Sequence, residues 1–152
     1  MKRNYFLWGA ILGFALILIG YTVVFKWIEH RRVVKGPWVV TFTAESGVPV
    51  LIVNQHKLDI HDVRITFPDE RAATNAAQAL KFSQARAVPF DVPFGKCVFL
   101  DPMFLPGTVA LEMFGHEIQL LPRALTINKA ERPWRNGETI ELRGMRTNSE
   151  AR

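Results

Sequence analysis

The chain has 152 residues, of which 49% are hydrophobic, 22% charged and 11% aromatic. That leaves room for one membrane anchor and one modest domain, and it excludes a disordered chain. The formal charge of +5 arises in residues 1–35, which hold six basic residues and one acid, whereas residues 36–152 hold 13 of each sign.

A balanced body argues against nucleic-acid binding, which needs a basic stripe on the folded domain. The single cysteine, Cys97, excludes an intramolecular disulfide framework.

Residues 1–4 read as a short N-terminal tail. From Tyr5 to Phe25 there are 21 residues without a charge. At the helical rise this run spans about 30 Å, the thickness of a bilayer core. A transmembrane helix is predicted over residues 5–28, with Tyr5, Trp8, Tyr21 and Trp27 as interface anchors at its two ends. A cleaved secretory signal is the competing reading. The run is long for one, and the residues after it (Val23, Val24, Phe25, Lys26, Trp27) are bulky where a peptidase needs small ones. The stretch therefore reads as a single-pass signal-anchor.

Counting basic residues on each side slightly favours a cytoplasmic body, because Lys26, Arg31, Arg32 and Lys35 follow the run. Against this, the Met1-Lys2-Arg3 start resembles a secretory leader, and large domains cross despite charge. The expectation is a bacterial inner membrane with an extracytoplasmic body. Gly9, Gly13 and Gly20 fall on one helical face, returning to within about 40° of one another. This face would admit a second helix, from a partner or another copy.

Residues 29–36 form a basic juxtamembrane collar. Residues 37–144 then read as the body. Trp38, Val40 and Phe42 alternate with Val39, Thr41 and Thr43, the period of a strand. Further strands are expected at 48–54, 57–67, 78–84, 96–100, 108–114, 117–121, 124–128 and 139–143. About nine short strands separated by Pro, Gly, Asn and Asp predict a mainly β protein, an antiparallel jelly-roll-like β-sandwich. The Ala-rich stretch Arg71 to Leu80 is the one helical candidate in the body. Residues 145–152 read as a flexible polar tail.

Three local features sharpen this map. In residues 58–67 the apolar parity changes at His61-Asp62, which predicts a β-bulge there. Around Phe114-Gly115-His116, a Phe-Gly loop would set Glu112 opposite Glu117. A Gly115-His116 loop avoids that clash and is the expected register. Asn136-Gly137 predicts another tight turn, with Arg135 opposite Glu138.

No catalytic machinery is visible. His30, His56, His61 and His116 follow no recognised metal-ligand spacing, and His61, Asp62 and Cys97 are weak metal candidates only. None of Ser46, Ser83 and Ser149 sits in a nucleophile elbow. Cys97 could meet His116 in space, but an apolar strand position points to a buried, inert thiol. The acid pairs Asp59/Asp62, Asp69/Glu70 and Asp91/Asp101 read as turn formers. Phosphate loops are missing, and Gly95-Lys96 stands alone. Trp38 and Trp134 could form a sugar-stacking platform, though a Trp opening a strand more often plugs a core.

The most distinctive segment is VPFDVPFGKCVFLDPMFLPG at 88–107. Its repeated Val-Pro-Phe would set Phe90 and Phe94 on one side of an extended chain. Pro89, Pro93, Pro102 and Pro106 keep it out of a sheet interior. It is either a lid over the core or a lip that docks a partner.

The expected function is a membrane-anchored, non-enzymatic interaction module, an accessory or assembly subunit of a membrane complex. Gly9, Gly13, Gly20, Phe90 and Phe94 are its candidate contacts. A carbohydrate- or lipid-binding sandwich and a metal-binding chaperone are the alternatives. No cofactor is expected.

Overall fold

The computed structural model describes residues 4–33, 35–73 and 76–144, with the side chains of 32 and 33 left out. Residues 1–3 of the tail expected at 1–4, and the whole tail expected at 145–152, lie outside the described residues.

One helix, α1 (Tyr5–Val33), is followed by eleven strands in two sheets. The helix is long and apolar enough to span a membrane over Tyr5–Arg31. It extends five residues past the predicted end at 28, because nothing in Glu29 to Val33 breaks a helix. Its apolar side chains are exposed around the whole circumference, from Tyr5 to Ile28. A helix apolar on every side needs lipid or protein around it.

The strands are β1 (Val39–Glu45), β2 (Val48–Gln55), β3 (Ile60–Thr66), β4 (Gln78–Lys81), β5 (Phe90–Val92), β6 (Gly95–Asp101), β7 (Thr108–Met113), β8 (His116–Leu120), β9 (Leu125–Ile127), β10 (Ala130–Arg132) and β11 (Thr139–Glu141). The first sheet has the order β11-β3-β2-β1-β4. The second, β10-β9-β8-β7-β6-β5, is a meander in chain order. All pairings are antiparallel except β11 with β3. The chain crosses between sheets twice, from β4 to β5 at one edge and from β10 to β11 at the other. This order confirms a mainly β body of two sheets, and it does not confirm a jelly-roll path.

Both sheets share one core, with Phe42, Leu51, Val53 and Ile65 from the first meeting Val109, Leu111, Ile118 and Leu120 from the second. The alternation that starts at Trp38 is borne out: Trp38, Val40 and Phe42 are fully buried. The Arg71–Leu80 helix is not formed among the described residues. Its end is instead strand β4, because Gln78 to Lys81 complete the ladder on β1.

Strand register gives the body two distinct ends. At the near end, where the chain enters from the helix, Trp38 donates its indole Nε1–H to the Gly107 carbonyl at 3.0 Å. Its ring packs on Trp134 at 5.2 Å, and Trp134 donates to the Leu121 carbonyl at 2.9 Å. The buried Gln55 side chain reaches the carbonyls of Lys35, Gly36 and Pro37 at 2.8–3.1 Å and holds the incoming linker to the body. At the far end Phe42, Phe94, Phe114 and Phe67 form a run of ring contacts, with centroids 4.9–6.4 Å apart, across both sheets. Burying each large ring contributes about 1.5–3 kcal/mol, so the two aromatic ends help hold the sheets together.

The predicted bulge is present. Val53 pairs with Val63 and Gln55 with Ile60, so His61 and Asp62 together oppose Asn54. The Asn136 side chain accepts from the His61 amide and donates to the Asp59 carbonyl, filling the bonds the bulge leaves open. The Asn136-Gly137 turn forms, with Glu138 N bonded to Arg135 O at 3.2 Å. It makes a corner between β10 and β11, which lie in different sheets, and not a hairpin.

The β7–β8 register differs from expectation. The loop is Phe114-Gly115, and Glu112 does face Glu117. Phe114 and Gly115 both have positive φ, +50° and +78°, the pattern of a type I′ turn whose twist suits a hairpin. Facing glutamates cost about 0.2–1 kcal/mol. Turning the Phe114 ring onto Phe67 and Phe94 outweighs that, and Lys96 lies opposite Glu112 on its other side.

Gly107 is where the near end is tightest. Its φ is +68°, and an added Cβ would fall 1.9 Å from the Asp101 carbonyl oxygen. Gly47 has a similar φ of +78° but open space around it. In urea unfolding of the full chain in micelles, Gly47→Ala is expected to cost about 1 kcal/mol and Gly107→Ala at least about 3 kcal/mol. Equal losses would show that the Asp101–Gly107 contact imposes nothing.

Candidate functional site

Pro89 and Pro93 bound the short strand β5, the terminal strand of its sheet, whereas Pro102 and Pro106 lie in the loop between β6 and β7. Strand β4 is the terminal strand of the other sheet. The chain joining them, 82–89, rounds the corner at the near end. The two edges do not pair with each other, and a groove of about 690 Å³ lies between them.

Its floor is apolar. Phe82 and Val92 are buried, while Leu80, Phe90 and Leu100 are half-buried. Its rim is polar, with Gln78, Lys81, Gln84, Arg86 and Asp91 exposed. The Arg86 guanidinium lies 4.3 Å from the Phe90 ring centroid. An exposed cation on an aromatic face is held by about 0.5–1 kcal/mol. The contact places the guanidinium beside the groove, where it can meet a negative group. The volume falls within the range of small-ligand sites, and the free edge of β4 suits an extended chain.

The residues singled out from sequence are distributed as follows. Phe90 faces inward with Val92 and lines the groove. Phe94 occupies the β5–β6 turn at φ +70° and packs on Phe42 and Phe114. The hairpin thus separates the two phenylalanines that an extended chain would place side by side. The exposed apolar side chains of this segment are Val88, Phe99, Met103 and Phe104. A second bulge, at Val98 between Cys97 and Phe99, turns Phe99 outward.

His61 and Asp62 are exposed on β3, whereas Cys97 is buried in β6 of the other sheet, so the three do not converge. Among the described residues no three His, Cys, Asp or Glu side chains could hold a metal together. His116 is buried against Phe67 and bonded to Asn128. Asp101 accepts from the Met103 amide, as a turn former does, whereas Asp69 accepts from the distant Gly144 amide and ties the chain after β11 to the loop after β3. Trp38 is fully buried with its indole N–H engaged, so it plugs the core and offers no sugar platform.

A Cβ at Gly9, Gly13 or Gly20 would meet open space. Tyr5, Trp8, Tyr21 and Trp27 are all exposed on the helix, and Arg31 stacks over Trp27 at 4.3 Å.

Comparison with known protein families, with curated proteins and with solved structures gives no match.

Burial pushes the Cys97 thiol from its ordinary 9.0 up to about 11, with the nearby Arg86 charge pulling the other way. Between those two values the unfolded chain has lost a proton that the folded chain keeps, so stability falls as pH rises from 9 to 11. Cys97→Ala is expected to remove that component of the pH dependence in urea titrations. Iodoacetamide is expected to modify Cys97 in urea but only slowly in the native protein at pH near 8. Rapid native modification would contradict the buried placement.

Proposed function

We propose that the chain is a membrane-anchored, non-enzymatic interaction module, an accessory or assembly subunit of a membrane complex. On this reading α1 is a single-pass anchor in a bacterial inner membrane, the body is an extracytoplasmic β-sandwich, and a partner protein is captured at the β4–β5 groove. The observation that carries the proposal is the groove itself: two unpaired sheet edges, an apolar floor and one cation held over an aromatic ring. Edge strands supply main-chain hydrogen bonds to an added strand, and the floor supplies pockets for its alternate side chains. Arg86 would select a segment with an acidic residue. The glycine face of α1 offers a second contact within the membrane.

A lipid-ligand reading draws on the same floor, because an acyl chain with an anionic head would meet Phe82, Phe90 and Arg86 in turn. The two readings differ in what occupies the groove.

The test is a photo-crosslinking residue at Gln84 in the full chain, expressed in membranes. The expected result is one discrete protein adduct, reduced by about tenfold or more on Arg86→Glu, the size of effect a reversed rim charge has on a charged partner. A lipid adduct alone would replace the proposal with the ligand reading. No adduct, or a protein adduct indifferent to Arg86, would overturn it.

A further inference from the structure

The exposed apolar side chains of the body gather at or beside its near end. Met103 and Phe104 are 61% and 57% exposed, on the loop that Trp38 grips through Gly107. Val88, 41% exposed, is on the 82–89 corner at the same end. Exposed basic residues share this end: Lys35 on the linker, Lys57 beside Gln55, Arg123 on the β8–β9 loop and Arg135 on the β10–β11 corner. The exposed acids there are Asp59, Asp62 in the bulge and Asp101, and Asp101 is engaged with the Met103 amide. The far end is mixed, with exposed Glu45, Asp69 and Glu141 set against exposed Arg71, Lys129 and Arg143 at its strand ends and loops.

Chain length keeps the near end close to the end of α1. The helix runs eight residues past Phe25, about 12 Å beyond the uncharged run. Four residues then connect Val33 to Trp38, a span of at most about 17 Å. Gln55 holds three of the four connecting residues against the body. If α1 crosses a bilayer, the near end stands within reach of the headgroups.

We infer that the near end is a second, peripheral membrane contact: Met103, Phe104 and Val88 enter the headgroup region of an anionic bilayer, and Lys57, Arg123 and Arg135 face its lipid phosphates. The inference rests on the anchored reading of α1. Apolar tips flanked by lysine and arginine are the composition of an interfacial contact. The contact fixes how the body stands on the membrane and keeps Met103 and Phe104 out of water, where they would otherwise promote aggregation.

The test uses the full chain in nanodiscs, with nitroxide labels placed singly at Ile17→Cys, Ser46→Cys and Phe104→Cys. Cys97 is exchanged for alanine in a parallel set. Accessibility to oxygen against a nickel chelate reports depth. In discs of phosphatidylcholine with phosphatidylglycerol, the labels at 17 and 104 are expected to favour oxygen and the label at 46 to favour nickel. Arg123→Gln with Arg135→Gln is expected to reduce the inserted fraction at 104 by roughly tenfold or more, as is removal of the anionic lipid.

An aqueous label at 104 with a lipid-exposed label at 17 would overturn this contact and leave the anchor standing. An aqueous label at 17 would overturn the anchor and the contact with it. A label at 104 shielded from both reagents would show a protein interface there and overturn the lipid assignment.

Discussion

The structure depends on the burial of one side chain, Trp38. It stands immediately before β1, and its ring lies fully inside. From that position it touches three separate parts of the chain: the Gly107 loop through its indole, the β10–β11 corner through Trp134, and the exit of β4 through the Phe82 amide, which bonds its carbonyl. Each sheet alone would expose one apolar face. Trp38 joins the sheets at the end where the chain arrives, and the phenylalanine run joins them at the other. The groove follows from this closure, because fixing β4 and β5 at the corner without pairing them leaves a gap between their edges.

Much of the two-sheet body is legible in the sequence because its strands alternate. The parity change at His61-Asp62 locates a bulge, since a strand cannot keep its core face through such a change in any other way. The hairpin at Phe114 departs from the sequence expectation for a definable reason. Cross-strand charge and a type II′ turn with glycine first both favour a Gly115-His116 loop. The packing of the Phe114 ring on Phe67 and Phe94 favours the observed one and outweighs the facing glutamates. The edge strands Phe90–Val92 and Ala130–Arg132 leave no mark in the sequence because three residues show no period. They exist only through their neighbours' hydrogen bonds. The Ala-rich stretch reads as a helix by propensity, yet β1 needs a partner and takes Gln78 to Lys81.

The candidate site is less legible. The Val-Pro-Phe repeat points to the right segment, and Phe90 does line the groove. Its other walls, Leu80, Phe82 and Leu100, are brought together by sheet edges that pair with different neighbours, and no local signal marks that. The position of Met103 and Phe104 follows from the bond between Gly107 and Trp38, which fixes the end of the body they occupy. The basic collar and the basic loops of the body are far apart in sequence, and they share an end because of strand register alone.

The proposed account gives the body a definite polarity: a near end facing the bilayer and a far end, capped by four phenylalanines, facing away. The most direct test is energy transfer from a fluorophore on the body to acceptors in the lipid headgroups, using the full chain in nanodiscs with the label at Arg123→Cys or at Ser46→Cys. The account predicts that Arg123 stands nearest the bilayer and Ser46 farthest. Equal distances, or Ser46 the nearer, would contradict it.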